Sequence, residues 1–339
     1  MTNDPLVRIR GLTKHFGKAP ALVHAVESVD FSIARGEMLG LVGESGSGKS
    51  TIGRMILRAL DVTAGEVVFD GTPIHAMSQR QLKPFRRRMQ MVFQDPYASL
   101  NPRLRVRDIV GEALDAHGLA RGAARTARIT ELLEIVGLQA EHADRFPHEF
   151  SGGQRQRIGI ARALAVEPEL IVADEPVSAL DVSVQAQVLN LLQDLRARFG
   201  MAMLFISHDL DVIELMCDRI VVLYLGRVME IGPTDAVCGD PRHPYTRALL
   251  ETSPKPDPDA RRTRNLLQGD IPSPVAPPSG CVFRTRCPQA ISACAEAVPP
   301  LRRVGAGHAI ACIRQESPRS EAFEGRAYPS SAGTDEGAD

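Results

Sequence analysis

Short apolar runs alternate with helical patterns along the first 235 residues of the chain. The runs at 39–42, 170–173 and 203–206 are continuously apolar, which is typical of strands buried on both faces of a parallel sheet. Strands are predicted at 7–10, 29–33, 37–43, 66–70, 89–94, 170–175, 202–208, 219–225 and 227–232, and helices at 49–59, 123–136, 153–166 and 184–199. The alternation predicts an α/β core with an antiparallel β subdomain near the N-terminus.

The amino-acid composition of the chain changes at residue 253. Pro-rich stretches at 253–262 and 272–280 indicate extended segments outside a packed core. A cysteine-containing segment follows them, and the last residues are polar and expected to be disordered. The predicted organisation is a core domain at 5–252, a small C-terminal cysteine-containing appendage at 253–315 and a tail at 316–339. No internal repeat divides the core in two.

Composition narrows the function classes. The 339 residues are 44% hydrophobic and 24% charged with a formal net charge of −1, so the chain carries no global electrostatic signature of nucleic-acid binding. No apolar run approaches the roughly 18 residues of a membrane span, and the N-terminus lacks the apolar stretch of a signal peptide. We expect a soluble protein of a reducing compartment that reaches a membrane only through a partner.

The stretch GESGSGKST, residues 43–51, follows an apolar strand and precedes a predicted helix. It fits the pattern G-x-x-x-x-G-K-[ST], in which glycines let backbone N–H groups converge on phosphate oxygens without interference from Cβ atoms. Lys49 is expected to reach the β- and γ-phosphates of a nucleotide, and the Ser50 hydroxyl to bind Mg²⁺. The alternative is a Gly/Ser turn that leads into a helix, and the strand–loop–helix context favours nucleotide binding.

Two adjacent carboxylates, Asp174 and Glu175, end the apolar run LIVADEP. Adjacent residues of a strand point to opposite sides, so the two acids are expected to have different tasks. Asp174 suits outer-sphere coordination of Mg²⁺, whereas Glu175 suits positioning or deprotonating an attacking water. The alternative is a charged pair that opens a turn before Pro176, which the upstream phosphate loop disfavours.

The stretch SGGQRQR, residues 151–157, precedes another helical pattern. A Ser–Gly–Gly turn at the start of a helix binds an anion for the same reasons as the phosphate loop. An ordinary N-cap formed by Ser151 explains the stretch equally well. Because one chain needs only one triphosphate cradle, the residues alone leave open whose phosphate this turn would hold.

Six motifs in register, GESGSGKST, FQDP, SGGQRQR, LIVADEP, SALD and ISHD, resemble those of the ATP-binding subunits of ABC transporters over roughly residues 5–235. The resemblance implies a P-loop ABC-type ATPase core with antiparallel β and helical subdomains, and ATP and Mg²⁺ as ligands. The phosphate-loop residues that it implies are Gly43, Ser45, Gly46, Gly48, Lys49, Ser50 and Thr51. The signature that would close on ATP held by the opposite subunit of a dimer consists of Ser151, Gly152, Gly153 and Gln154.

The same resemblance assigns catalytic and metal-binding roles to single residues. Asp174 would serve Mg²⁺ together with Ser50 and Gln94. Gln94 would also sense the attacking water and link to a membrane partner. Glu175 would be the catalytic glutamate, and His208 would contact the γ-phosphate as the switch histidine.

Three further positions are implied outside the catalytic group. Asp181, in SALD, would reach across the dimer. Phe16 would stack on adenine, although a Phe near a strand is more often part of the core. Residues 95–107 would receive the membrane subunits, with a solvated Pro-containing loop as the equally weighted alternative.

A narrower resemblance covers almost the whole chain. Stretches such as FQDPYASLNPR, RHPYTRALL and QGDIPSPVAPPSGC are similar to those of the oligopeptide/dipeptide importer branch. That branch implies peptide import, a second and different ATPase subunit, two transmembrane permease subunits and an extracytoplasmic substrate-binding protein. It also implies a peripheral location on the cytoplasmic face of the inner membrane, with no nucleic-acid partner. The alternatives are import of nickel or another small solute, a non-transport ABC ATPase, an exporter ATPase, and an interaction protein with a vestigial nucleotide site.

Four of the six cysteines, Cys281, Cys287, Cys294 and Cys312, cluster near the C-terminal end. Disulfides are disfavoured in a reducing compartment, and the clustering makes isolated buried thiols the less favoured alternative to a metal site. The spacing differs from the tight C-x₂-C pattern of a zinc site, whereas four thiolates suit an iron–sulfur cluster. The segment also resembles the cluster-bearing C-terminal segment of some peptide-importer ATPases, which implies a [4Fe–4S] cluster. Zinc, with His308 replacing one thiol, is the alternative.

Overall fold

Two sheets with helices packed around them make up the computed structural model, which describes residues 4–252 and 269–314. The strands are β1 (Val7–Phe16), β2 (Val23–Ile33), β3 (Met38–Val42), β4 (Ala64–Phe69), β5 (Thr72–Pro73), β6 (Met89–Val92), β7 (Leu170–Asp174), β8 (Ala202–Ser207), β9 (Arg219–Tyr224), β10 (Arg227–Pro233), β11 (Arg302–Gly305) and β12 (His308–Ile310). The α-helices are α1 (Lys49–Ile56), α2 (Gln79–Arg88), α3 (Val106–His117), α4 (Gly122–Ile135), α5 (Gly152–Leu164), α6 (Val182–Phe199), α7 (Leu210–Met216), α8 (Thr234–Gly239) and α9 (Pro244–Thr252). Short 3-10 helices lie at Ala140–Asp144, Pro147–Glu149 and Ser292–Ala295.

The larger sheet has the strand order β11-β12-β10-β9-β3-β8-β7-β6, and its strands from β9 to β6 run parallel. Alternate residues of β3 face two different apolar cores. Met38 and Val42 belong to one core, and Leu39 and Leu41 belong to the other. The expected parallel sheet, buried on both faces, is therefore confirmed.

The two faces of this sheet are covered by different subdomains. The antiparallel sheet β2-β1-β4-β5 packs with α1 on one face, where Phe31 and Phe69 share a core with Ile52. Helices α3 to α6 pack together on the other core, which contains Ile109 and Leu132. Both the antiparallel β subdomain and the helical subdomain expected from the motifs are present.

All nine predicted strands are found, and the four predicted helices correspond to α1, α4, α5 and α6. The pattern does not predict α2, which contains Pro84 and fully buries only Leu82, with Phe85 packed partly buried against the same core. It also misses α3, although Val106, Ile109, Val110 and Leu114 are buried at helical spacing along it.

The C-terminal extension continues the core sheet. Strand β12 pairs antiparallel with β10, and β11 pairs with β12, so the extension adds two strands to the larger sheet. The backbone N–H of His24 on β2 donates to the carbonyl of Pro274, 2.9 Å away. The appendage expected from the sequence is therefore built into the core at two places. The Pro-rich stretch 253–262 and the polar tail 316–339 lie outside the described residues.

A buried carboxylate stabilises this junction. Glu230 on β10 is fully buried and accepts hydrogen bonds from the N–H groups of Arg242 and His243, at 2.8 and 3.0 Å. Its third partner is His308 Nε2 on β12, 2.6 Å away. Because a buried carboxylate is strongly destabilising without partners, Glu230 requires the α9 region and the extension to lie where they do. Burial also lowers the pKa of His243 to about 4, which favours a neutral imidazole there.

Candidate active site

The phosphate loop, residues 43–51, connects the end of β3 to the start of α1. Gly48 is the N-cap of α1 and has a φ of +100°. A Cβ atom at this position would lie 2.5 Å from the carbonyl oxygen of Ala25 on β2. Only glycine allows this backbone conformation and this close approach, so the loop can aim its N–H groups into the cleft in front of α1.

Lys49 is buried within the loop that precedes it. Its Nζ donates to the carbonyl oxygens of Gly43 and Glu44 at 2.7 and 3.0 Å, and to Ser47 Oγ at 3.4 Å. These acceptors are uncharged, and burial lowers the pKa of Lys49 while the nearby acids, including Glu175, oppose that shift. The loop thus concentrates a positive charge beside its own backbone, where an anionic ligand would be stabilised.

Asp174 ends β7 and contacts the first turn of α1. The Ser50 hydroxyl donates to Asp174 Oδ1 over 2.7 Å, and the carboxylate is 3% exposed. Burial raises the pKa of Asp174, and the Ser50 hydrogen bond opposes that shift. A hydroxyl and a carboxylate held together at the foot of a phosphate loop are oxygen ligands of the kind that Mg²⁺ prefers.

Glu175 follows directly and points toward two other loops. Its backbone has a φ of +46°, and its N–H donates to the carbonyl of Ile206 on β8 over 3.0 Å. Its Oε2 accepts a hydrogen bond from Gln94 Nε2 at 2.9 Å and lies 3.4 Å from His208 Nδ1. Residues that follow β6, β7 and β8 therefore meet at the carboxyl edge of the parallel sheet.

Lys49, Ser50, Glu175 and their neighbours share one open cleft of about 640 Å³, whereas Asp174 is not among the residues that line it. Its lining consists of Ala25, Gly43, Glu44, Ser45, Gly46, Ser47, Gly48, Lys49, Ser50, Thr51, Gln94, Glu175, His208 and Leu249. Sequence reasoning missed Ala25, Glu44, Ser47 and Leu249. Glu44 and Ser47 occupy unspecified positions of the loop pattern, and Leu249 belongs to α9, for which no helix was predicted.

The signature residues lie outside this cleft. Ser151 caps α5, with Ser151 Oγ accepting the N–H of Gln154 at 3.3 Å and Gln154 Oε1 accepting the N–H of Ser151 at 3.0 Å. Gly153 packs so closely on Val184 of α6 that a Cβ would lie 2.3 Å from a valine methyl group. Asp181 is the N-cap of α6 and is exposed. The signature and Asp181 thus belong to neighbouring helix starts, separate from the phosphate loop of the same chain.

Phe16 lies at the exposed end of β1. Its ring is 39% exposed, and Lys14 Nζ lies 5.1 Å from the ring centroid. The ring does not belong to the buried core, so the alternative that Phe16 is a core residue is wrong. It is also not among the residues that line the phosphate-loop cleft.

Sequence comparisons add the family to this geometry. The profile of the family described as ABC transporter matches residues 26–178, and that of the oligopeptide/dipeptide transporter C-terminal region matches residues 229–294. A Brucella ovis protein named a peptide import ATP-binding protein is 59% identical over 314 residues, which cover 93% of this chain and 99% of the relative. The chain belongs to the ABC transporter ATPases.

Other relatives of this ABC ATPase agree. The oligopeptide transport ATP-binding protein AppF of Bacillus subtilis is 47% identical over 91% of this chain and 97% of the relative. Among solved structures, the ATP-binding cassette MJ0796 has a TM-score of 0.62 and 32% identity, covering 67% of this chain and 98% of that chain. That cassette was solved as a dimer in a post-hydrolysis state with ADP and phosphate. The expected ABC ATPase fold is confirmed. Every helix within residues 4–252 and 269–314 is too short or too polar to span a lipid bilayer.

The four clustered cysteines of the ABC ATPase line one small cavity. None of the cysteines in the described chain forms a disulfide, and burial raises the pKa of Cys281 to about 11. Their sulfurs are not packed as closely as the ligands of one zinc ion, roughly 3.8 Å apart for Zn–S bonds of 2.3 Å. Among the described residues, only His15, His24 and Glu27 bring three ligand atoms within 4.8 Å of one another.

The zinc alternative is wrong about one ligand, because His308 does not lie at the cysteine cavity. His308 is bonded to Glu230 on β10 and does not line the cysteine cavity. Its imidazole is hydrogen-bonded to the buried carboxylate of Glu230. If His308 bound a metal ion through that nitrogen, Glu230 would lose its third partner. The thiols of the four cysteines line the cavity, and the imidazole that lies beside them in its lining is that of His243.

Replacing Lys49 tests the phosphate loop. Lys49→Ala removes the ammonium group that concentrates charge in the cleft, so the affinity for MgATP is expected to fall roughly 10- to 100-fold, the loss of a charge-assisted hydrogen bond. Titration calorimetry on the full-length chain measures the dissociation constant. The matched control is Lys83→Ala on the exposed side of α2, which should leave it unchanged. Equal affinity of the Lys49 variant and the wild type would contradict the assignment.

Proposed function

We propose that this ABC ATPase hydrolyses ATP to energise the import of peptides through an ABC transporter. The observation that carries hydrolysis is the convergence of Lys49, Gln94, Glu175 and His208 on one cleft. The cargo is supported by the oligopeptide/dipeptide C-terminal region at 229–294 and by relatives named for peptide import and oligopeptide transport.

The proposed phosphate site uses backbone and side-chain donors together. N–H groups of residues 43–51 surround phosphate oxygens at the start of α1, where the helix adds partial positive charge. Lys49 exchanges its uncharged loop acceptors for phosphate oxygens, which are stronger partners for an ammonium group. The exposed ring of Phe16 is the proposed stacking surface for adenine.

Ser50, Asp174 and Gln94 are the proposed residues for Mg²⁺. All three offer oxygen atoms, and the Ser50–Asp174 hydrogen bond of 2.7 Å holds two of them together. Gln94 donates its amide N–H to Glu175, which leaves the amide oxygen available as a ligand. When bound, the ion neutralises negative charge on the phosphate oxygens.

Glu175 is the proposed catalytic base. Its carboxylate is held by Gln94 and lies beside His208 at the carboxyl edge of the sheet, so it can orient a water and accept its proton. Proton transfer to Glu175 leaves a hydroxide that attacks the γ-phosphorus as the bond to the β-phosphate oxygen breaks. His208, with a side chain that is 59% exposed, is placed in this proposal to contact the γ-phosphate.

A second ATPase subunit completes the proposed site. Ser151, Gly152, Gly153 and Gln154 lie at the start of α5, outside the cleft of their own chain, with Ser151 exposed and Gly153 buried against α6, and Asp181 lies beside them. In the proposed heterodimer, these residues close on ATP held by the partner, so each triphosphate bridges two chains. Binding of ATP closes the dimer and hydrolysis reopens it, because ATP and ADP differ in affinity for the closed state. The dimeric ADP-bound cassette among the similar structures supports this arrangement.

The proposed membrane partners are two permease subunits, which receive substrate from an extracytoplasmic binding protein. The docking segment is 95–107, where Tyr97 is 61% exposed and is stacked under the Arg155 guanidinium, 3.9 Å from the ring centroid. This segment begins directly after Gln94, so movement of a permease can reach the γ-phosphate end of the cleft. The ABC ATPase is proposed to lie on the cytoplasmic face of the inner membrane.

The cysteine cavity is proposed to hold a [4Fe–4S] cluster. Its four thiols line one small cavity: Cys281 and Cys287 precede the 3-10 helix Ser292–Ala295, Cys294 lies in it, and Cys312 follows β12. No three of these sulfurs lie within 4.8 Å of one another, which argues against one tetrahedral zinc, and four thiolates are the ligand set of an iron–sulfur cluster. The cluster would hold the extension together and takes no part in the hydrolysis of ATP.

Replacing Glu175 tests hydrolysis and transport together. Glu175→Gln keeps the shape and the hydrogen bond to Gln94 but loses the base, so the turnover number should fall about 100-fold or more while MgATP binding persists. Glu214→Gln on the exposed side of α7 is the matched control. Uptake of a labelled tripeptide by cells that carry the variant should fall with hydrolysis. Unchanged turnover would reject the base, and peptide uptake that survives the loss of hydrolysis would reject the proposed cargo.

Iron analysis tests the cysteine cavity. Anaerobically purified full-length chain should contain iron and acid-labile sulfide with a visible charge-transfer band, and Cys294→Ser should lose most of both. Cys238→Ser in α8 should retain them. A colourless wild-type protein without iron, or one loaded with zinc, would contradict the cluster.

A further inference from the structure

Glu44, the second residue of the phosphate loop, is held by groups from two distant parts of the chain. Its backbone N–H donates to the hydroxyl oxygen of Tyr245 over 3.0 Å. Its carboxylate pairs with the guanidinium of Arg286, with Oε2–Nη1 and Oε1–Nη2 distances of 2.6 and 3.1 Å. Its carbonyl accepts the hydrogen bond from Lys49 Nζ at 3.0 Å. One loop residue thus connects the C-terminal part of the chain to the phosphate-binding lysine.

The two distant groups are themselves fixed by packing. The Tyr245 ring is fully buried, and its centroid lies 4.8 Å from that of Tyr224 and 5.2 Å from that of Phe283. The Arg286 side chain is 6% exposed, and its guanidinium carbon lies 5.8 Å from the Tyr224 ring centroid. Neither group can follow the loop if the loop moves, so both hold Glu44 in a single position.

The contacts lie at the point of the loop that matters for phosphate binding. Lys49 has three acceptors, and two of them are the carbonyls of Gly43 and Glu44. A shift of the Glu44 backbone would therefore move the lysine and the loop N–H groups together. A mutation far from the reacting atoms that misplaces catalytic groups by about 1 Å can reduce the rate about 100-fold. A role limited to fastening the extension would not require contact with the loop at this residue.

We propose that Arg286 and Tyr245 are positioning residues for the phosphate loop, which act through Glu44 and set the affinity for nucleotide. Arg286 directly precedes Cys287, and Phe283 lies between Cys281 and Cys287. The fold of the cysteine segment therefore decides whether the arginine reaches Glu44. The inference rests on the phosphate-loop assignment proposed above, which the Lys49→Ala variant tests separately.

Substitutions at the two positions test the link in the full-length chain. Arg286→Gln and Tyr245→Phe should each raise the dissociation constant for MgADP roughly 3- to 30-fold, as for other residues that act on a site from a distance. Arg286→Lys keeps the charge but cannot form the two-point pair, so its effect should be intermediate. Arg284→Gln is the matched control, because Arg284 is in the same segment but, within residues 4–252 and 269–314, donates to Ser279 alone, at 2.8 and 3.3 Å.

A double variant separates positioning from general destabilisation. Once Glu44→Gln has removed the carboxylate, adding Arg286→Gln should change the MgADP affinity little further, because the two groups act as one unit. Thermal unfolding is followed in parallel. If Arg286→Gln and Tyr245→Phe lower only the melting temperature and leave the dissociation constant at the wild-type value, the proposal is wrong.

Two further outcomes would also contradict the proposed role of Arg286. Equal effects of Arg284→Gln and Arg286→Gln, or additive effects of Glu44→Gln and Arg286→Gln, would overturn the inference. If Arg286→Gln does not fold, Tyr245→Phe decides alone, since it removes a single hydroxyl from an aromatic cluster that keeps its shape. If Lys49→Ala leaves the affinity for MgATP unchanged, the phosphate-loop assignment is wrong. That result distinguishes failure of the assignment from failure of the inference about Arg286.

Discussion

Parallel pairing of β3, β8 and β7 is the constraint on which the site depends. It brings the ends of these strands, and of β6 beside β7, to one edge of the sheet, so that residues 81 and 124 positions apart become neighbours. The Ser50–Asp174 hydrogen bond and the Gln94–Glu175 hydrogen bond both cross this edge. Each joins loops that follow different strands. The chemistry thus follows from strand order, and a different order would leave the same residues apart.

The extension depends on the same sheet in another way. Strands β12 and β11 add to its far edge, and the Glu230–His308 pair fastens them, because neither group tolerates burial without the other. From this anchor the cysteine segment reaches back to the phosphate loop through Arg286 and Glu44. A segment that contributes nothing to the phosphate chemistry can therefore still determine how well the loop is held. The extension and the catalytic core therefore share one sheet and are joined again at the phosphate loop.

Much of this could be predicted from the sequence, for identifiable reasons. The buried strands have continuous apolar runs, and Lys49 and Glu175 stand at fixed places beside them, so both the sheet and the cleft residues were expected. The partners of Glu44 were not, because Arg286 lies 242 positions away and nothing in local pattern links them. His308 was considered a metal ligand, but the fold commits its ring to Glu230. Long-range polar pairs of this kind arise from tertiary packing and have no periodicity to detect.

The central claim is the proposal that the active site requires two chains, because residues 151–154 do not line the phosphate-loop cleft of their own chain. Steady-state ATP hydrolysis by the full-length chain, measured alone and with increasing amounts of the second ATPase subunit, tests this directly. The account predicts that activity per chain is low for the isolated chain and rises as the second subunit is added, because the chain's own residues 151–154 lie outside its cleft. Full activity of the isolated chain that is independent of its concentration and unchanged by the second subunit would contradict it, because a single chain would then complete the site alone.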